Sequence, residues 1–204
     1  RWQDTEIGRW LASIVALPGS AVRKGLSIRV GDQQDAVLCY DTEVCGLRAI
    51  WTGGFLKFDP ARFGIIASPQ PDGTIQLTTQ EGAQWGGKVQ FRRMYAHDPR
   101  VVLEYVVDNT MVRESPWREA GNVFTRQFEV EAGSTPLNLM VIPTGNVEVV
   151  EQVIAGRPSI LQTDGAMKRR IVLLSEDGSA VTLKAVDKSG RLTILPREKP
   201  VRFK

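Results

Sequence analysis

The chain has 204 residues, of which 42% are hydrophobic and 24% are charged, and this composition excludes disordered, collagen-like and coiled-coil proteins. A folded chain of this length buries about 70% of the surface of its unfolded form, so one core is sustainable without disulfides or metals. The net charge of +3 is too small to indicate a nucleic-acid partner.

The sequence lacks the residues that several kinds of functional site require. The chain has one histidine, His97, and two cysteines, Cys39 and Cys45, which are too few for a zinc site of the usual type. The haem-attachment pattern C-x-x-C-H, the phosphate-binding loop and the G-x-S-x-G elbow are all missing. No apolar stretch approaches the roughly 20 residues that span a bilayer. We therefore expect no cofactor, no metal, no nucleic acid and no membrane span.

Alternation of apolar and polar residues with a period of two predicts strands along almost the whole chain. Residues 6–17 could form a helix by propensity, but Pro18 and Gly19 follow an apolar run, and a strand is favoured. The further predicted strands cover residues 36–40, 44–51, 88–96, 101–107, 123–130, 137–142, 147–154, 170–174 and 181–186.

Turn signals such as Pro71-Asp72-Gly73 and Thr163-Asp164-Gly165 separate these runs at short intervals. The pattern predicts an all-β protein, specifically a large antiparallel two-sheet β-sandwich of a dozen or more strands. A propeller is disfavoured because no fixed-period repeat is visible. The first residue is Arg1 and the last residues are basic, so we expect residues 1–204 to form one domain from a larger multi-domain protein.

The two cysteines lie in a predicted hairpin. If residues 41–43 form its loop, Tyr40 faces Val44 and Cys39 lies opposite Cys45. Two outcomes are then open: a cross-strand disulfide, which suits an oxidising compartment, or two buried thiols that pack as small apolar side chains.

A second hairpin is predicted around Asp98 and Pro99. A two-residue turn there places Arg93 opposite Glu104, which predicts an ion pair on an apolar face. Such a pair either specifies the core or forms the floor of a polar pocket. His97 falls at the turn and is expected on the surface.

Five tryptophans, Trp2, Trp10, Trp51, Trp85 and Trp117, provide the main hint of a ligand. Trp51 is expected in the core, whereas Trp85 and Trp117 lie in loop-like, glycine- and proline-containing segments. An exposed indole can stack on a sugar ring or fill a partner's pocket. The predicted ligand-binding residues are Trp85, Trp117, Arg118 and Asn122; the alternative is that the indoles fold back as lids.

The runs CYDT at 39–42, LRA at 47–49 and WTGGFLKF at 51–58, together with VVLEY at 101–105 and VFTRQFEV at 123–130, carry a family resemblance. Residues 8–142 resemble the β-rich domain found beside c-type cytochrome and sugar-dehydrogenase-like propeller modules in large exported bacterial proteins. The resemblance implies a periplasmic or extracellular, multi-domain context linked to carbohydrate or alcohol oxidation. It supplies no catalytic residues.

Two classes of function follow. The first is a non-catalytic accessory domain that binds carbohydrate or packs against cytochrome or dehydrogenase modules of its parent polypeptide. The second is a carbohydrate-active enzyme of epimerase or lyase type, for which Asp41, Arg48, Glu104 and Glu114 are the candidate residues. Two converging carboxylates in a cleft would favour the enzyme, and dispersed carboxylates would not.

Overall fold

The computed structural model describes residues 6–61, 66–142, 147–165, 167–175 and 177–204. Trp2 therefore lies outside the described residues. Within these ranges the regular secondary structure consists of strands, as the period-two pattern predicts. No described segment forms a helix long and apolar enough to cross a membrane.

Sixteen strands are present in the described ranges, and the predicted strand at the beginning of the chain is confirmed as β1. In chain order they are β1 Trp10–Leu17, β2 Ser20–Val30, β3 Ala36–Asp41, β4 Gly46–Lys57, β5 Gln70–Thr78, β6 Val89–His97, β7 Arg100–Val107, β8 Thr110–Arg118, β9 Phe124–Val130, β10 Leu137–Ile142, β11 Glu148–Ile154, β12 Arg157–Asp164, β13 Met167–Val172, β14 Val181–Val186, β15 Ser189–Ile194 and β16 Val201–Phe203.

The strands divide among four small sheets, so the prediction of a large two-sheet sandwich is wrong. Sheet I has the order β1-β2-β3-β4-β5 and sheet II the order β16-β9-β8-β7-β6. Sheets III and IV have three strands each, in the orders β10-β15-β14 and β11-β12-β13. The described strands therefore form separate sheets of five or three strands and not two large sheets.

The reason for this error is that alternation identifies a strand and its buried face but not its neighbours. Sheets I and IV join strands in chain order, whereas β16 pairs with β9 and β15 lies between β10 and β14. The local alternation of apolar and polar residues does not indicate these non-local pairings.

By its internal contacts the chain divides into two compact units. Unit 1 comprises Arg1–Gly82, Met94–Val102 and Pro116–Thr125, and unit 2 comprises Ala83–Arg93, Leu103–Ser115 and Arg126–Lys204. That residues 1–204 form a single domain stays a prediction.

The core of unit 1 is built on β3 and the first half of β4, where every residue is buried. Such continuous burial explains why these strands are apolar runs rather than alternating ones. Trp51, expected in the core, is fully buried and packs with Val37, Cys39 and Ala49. Its indole Nε1 donates to the carbonyls of Gly54 and Phe55, which anchors the polar end of the ring.

The predicted register of the cysteine hairpin is wrong. Cys39 pairs with Ala49 rather than with Cys45, because a β-bulge follows the turn and Cys45 lies in the turn at φ 47°. The backbone N–H of Glu43 donates to Asp41 Oδ1 at 2.9 Å, which starts this turn. Both cysteines are free thiols and both are buried.

Substitution of Gly73 by alanine should destabilise unit 1. A Cβ at this position would lie 2.2 Å from the carbonyl oxygen of Thr52, and its φ of +147° is unfavourable for other residues. We expect Gly73→Ala to lower the free energy of unfolding by about 3 kcal/mol in urea denaturation. Gly178→Ala, where a Cβ would meet open space, is the matched control. Equal effects of the two substitutions would contradict this account.

Candidate functional site

The indoles of Trp85 and Trp117, predicted to bind a ligand if exposed, are both buried. Trp85, in unit 2, is 2% exposed and packs edge-on against the rings of Tyr105 and Phe128, at 5.9 and 6.3 Å between centroids. The backbone next to it is tied down because the N–H of Gly86 donates to the carbonyl of Asn138. Non-local packing that a loop-like sequence does not reveal therefore places Trp85 in a core.

Trp117 belongs to unit 1 and is 5% exposed. The Arg100 guanidinium lies 3.8 Å from its ring centroid and covers the indole face on which a sugar would stack. Next to it, Arg118 forms an ion pair with Asp35 and donates from Nε to the carbonyl of Gly121 at 2.9 Å. Of the four predicted ligand-binding residues, only Asn122 is exposed.

The Arg118 guanidinium also holds the pKa of the Asp35 carboxyl below its ordinary value. The four predicted residues thus divide between the units, with Trp85 in unit 2 and the other three in unit 1. Within unit 1, Arg118 and Trp117 are already engaged by partners of their own.

The most extensive polar feature is a row of alternating charges across sheet II, here named the charge ladder. Each strand contributes one residue, and every neighbouring pair is oppositely charged. In strand order from β6 to β16 its members are Arg93, Glu104, Arg113, Glu129 and Arg202.

The predicted pair occupies one end of the ladder, with Arg93 Nε 2.8 Å from Glu104 Oε1. Arg113 Nε donates to the second oxygen of Glu104 at 3.0 Å, so this carboxylate is held on both sides. The side chain of Glu104 is 3% exposed although it lies on a face where Arg93 is 61% exposed. The arginines therefore bury the carboxylate and at the same time neutralise it.

The ladder continues through Arg113, whose Nη1 donates to Glu129 at 2.8 Å and to Glu131 at 3.2 Å. Hydrogen bonds to Glu104 and Glu129 raise the pKa of Arg113. At the far end Arg202 Nε donates to Glu129 at 2.7 Å. The sequence did not single out Arg113, Glu129 and Arg202, because their partners lie on other strands and only Glu129 and Glu131 show a local alternation of charge.

On the other face of sheet II, Glu114 lies among apolar side chains with no exposed surface. Arg126 donates to its two oxygens from Nε at 2.6 Å and from Nη2 at 3.1 Å, and the Tyr105 hydroxyl donates to Oε2 at 2.8 Å. Arg126 also covers the ring of Phe128. This carboxylate is neutralised and hydrogen-bonded, as a buried acid must be.

The two candidate catalytic glutamates do not converge. Glu104 pairs in register with Arg113, and Glu114 pairs with Leu103. Since residues 103 and 104 point to opposite faces, the two carboxylates lie on opposite sides of sheet II. Asp41 and Arg48 belong to unit 1, whereas both glutamates belong to unit 2.

Arg48 is 1% exposed, and none of its guanidinium nitrogens has a hydrogen-bond partner among the residues that the structure describes. It lies near Cys39, and burial raises the pKa of that thiol to about 11, against smaller lowering effects of Ser27 and Arg48. A thiol with so high a pKa is mostly protonated at neutral pH and is a poor nucleophile.

A cleft of about 310 Å³ opens in unit 2 beside residues 177–180 and 197–201, which sequence analysis did not single out. Its polar residues are Asp177, Arg197, Glu198 and Lys199, and Pro200 and Val201 add apolar surface. Neither alternation nor spacing predicts it, because its two segments meet only in the folded chain.

His97 ends β6 and is exposed, stacked on Tyr95 with 6.3 Å between ring centroids. The two-residue turn at Asp98 and Pro99 is confirmed by the strands that flank it. In the described ranges, no group of three or more histidine, cysteine or acidic residues could hold a metal ion.

Comparison with known proteins gives one similarity. Residues 38–89 match a family described as a domain of unknown function, DUF6797. No curated protein matches this chain, and no solved structure matches it. The matched segment spans β3, β4 and β5 and includes Trp51 and Arg48.

Removal of the Trp85 side chain should destabilise the fold. We expect Trp85→Ala to lower the free energy of unfolding by about 4 kcal/mol, because it leaves a cavity against Tyr105 and Phe128. Trp10→Ala, at an indole that is 42% exposed, is the control and should cost less than about 1 kcal/mol. The comparison is made by urea denaturation. A Trp85 variant as stable as the Trp10 variant would show that the Trp85 indole is not in the core.

The charge ladder should weaken in acid. The Arg202 guanidinium, followed by that of Arg113, holds the pKa of Glu129 below its ordinary value of 4.5. A carboxyl with a lowered pKa stabilises the fold above its ordinary value, and this contribution disappears as the pH falls through the folded value. Glu129→Gln should therefore be destabilising at pH 7, and its difference from the parent chain should shrink below pH 4.5.

The measurement is the free energy of unfolding at several pH values, with Glu148→Gln, at an exposed position of β11, as the control. A Glu129→Gln effect that stays constant down to about pH 3 would refute the assignment.

Proposed function

We propose that this chain is a non-catalytic accessory domain that binds through its surface, as part of a larger exported bacterial protein of oxidoreductase type. Its partner in this proposal is carbohydrate or a cytochrome or dehydrogenase module of the parent polypeptide. The periplasmic or extracellular location and the parent context rest on the resemblance of residues 8–142, above all of the WTGGFLKF run at 51–58.

One observation carries the proposal: the buried carboxylates are already occupied. Glu104 is held between two arginines, and Glu114 accepts hydrogen bonds from Arg126 and Tyr105. An acid or base needs a proton that it can exchange with substrate near neutral pH, together with room for the substrate beside it. A carboxylate paired in this way stabilises the fold instead.

The cleft in unit 2 supports binding of a small molecule. Its volume of about 310 Å³ is at the lower end of the range for small-molecule sites, and it combines charged with apolar walls. Binding needs only a shaped surface and a few oriented polar groups.

A binding and conversion assay tests this proposal. The 204-residue chain is titrated calorimetrically with a panel of neutral and acidic sugars, and the sugars recovered after incubation are examined by chromatography and mass spectrometry. In parallel, the chain is tested for association with the domains encoded beside it. We expect saturable binding of a sugar or of a neighbouring domain, with every sugar recovered unchanged.

Two results would overturn the proposal. One is conversion of a sugar that Glu114→Gln abolishes and Glu148→Gln preserves, with both variants folded by circular dichroism. The other is the absence of binding to any sugar together with the absence of association with any neighbouring domain.

A further inference from the structure

The charge of Arg197 is met by backbone carbonyls in the described part of the chain. Its Nη1 donates to the carbonyl of Leu195 at 2.9 Å, and its Nη2 donates to the carbonyl of Glu131 at 2.6 Å. Its Nε is buried and without a hydrogen-bond partner, and no carboxylate forms an ion pair with it in the described part of the chain. The neighbouring carboxylate of Glu131 is engaged by Arg113 instead.

The guanidinium is consequently fixed in place but not neutralised. Burial without a carboxylate partner lowers the pKa of Arg197. A partly buried cation of this kind is stabilised by an anion that approaches from the open side, and the planar guanidinium suits a carboxylate. The open side is the cleft, which Arg197 lines together with Lys199.

The other polar wall of the cleft is acidic. Asp177 Oδ1 accepts hydrogen bonds from the Ser179 N–H at 3.0 Å and from its hydroxyl at 2.6 Å, and these hold the carboxyl in position. Ser179 lowers the pKa of Asp177, so this carboxyl is ionised at neutral pH. Together with Glu198 it presents acceptors to a ligand that carries hydroxyl groups.

We infer that this cleft binds a sugar acid, with the ligand carboxylate at Arg197 and Lys199 and ligand hydroxyls at Asp177 and Glu198. The apolar surface of Pro200 and Val201 suits the C–H face of a sugar ring. A simple inorganic anion would offer no hydroxyl groups to Asp177 and Glu198, and a neutral sugar would offer no carboxylate to Arg197. The inference rests on the proposed binding function and specifies its ligand class and site.

Calorimetric titration of the 204-residue chain with sodium D-glucuronate tests the inference, with D-glucose, sodium sulfate and L-alanine as comparison ligands at constant ionic strength. We expect saturable binding of glucuronate that is at least about tenfold tighter than binding of the three other ligands. Glucose lacks the carboxylate, and sulfate and alanine lack the hydroxyl groups of a sugar.

Substitutions of the residues that line the cleft test where glucuronate binds. Lys199→Ala and Asp177→Asn should each weaken glucuronate binding about fivefold to tenfold, since each removes one charged hydrogen-bond partner. Lys168→Ala, at an exposed lysine of β13, is the charge-matched control and should bind as the parent chain does. Arg197→Lys keeps the charge but loses the planar fork, and should weaken binding further. Circular dichroism establishes that each variant is folded.

The outcomes separate the inference from the proposed function. Absence of glucuronate binding, equal binding of sulfate, of alanine or of glucose, or equal loss in Lys168→Ala would overturn the inference. If a neutral sugar binds and no cleft variant alters its affinity, the sugar-acid site is wrong while the accessory-domain proposal stands. If glucuronate binds in the cleft and is chemically converted, the site stands and the non-catalytic proposal is wrong.

Discussion

The carboxylate of Glu104 is the centre on which the charged face of sheet II depends. It is nearly inaccessible to solvent, and it is stable there because Arg93 and Arg113 hold one oxygen each. Removal of either arginine would leave this desolvated carboxylate less fully neutralised, which is unfavourable. From Glu104 the alternation of charges continues to β16, so the last strand is joined electrostatically to the middle of the sheet.

The need to neutralise a buried carboxylate also explains the arrangement on the opposite face of sheet II. Glu114 occupies a position where its neighbours are apolar, and it is tolerated because Arg126 and Tyr105 satisfy its oxygens. A slip of one residue in the pairing of β7 with β8 would exchange the faces of these side chains and leave both carboxylates without their partners. The two buried acids therefore specify the register of sheet II, which is a structural role.

Arg113 and Arg197 differ in the groups that balance their charges. Arg113 forms ion pairs with three carboxylates, which balance its charge. Arg197 is held only by backbone carbonyls and lines a cleft. Meanwhile the indoles of Trp85 and Trp117 are covered by protein groups. The proposed ligand site therefore consists of charged and hydroxyl-accepting groups and contains no exposed indole.

The sequence by itself determined the features that depend on nearby residues. Alternation with a period of two identified the all-β character and the strand β1, and the turn at Asp98 and Pro99 led directly to Arg93 and Glu104, which are 2.8 Å apart. Tertiary structure alone decided which strands are neighbours. It placed β16 beside β9, buried Trp85 and brought Asp177 to the same cleft as Arg197. The physical reason is that alternation records only the side of a strand that avoids water, whereas distant partners are selected by the packing and charge balance of the whole chain.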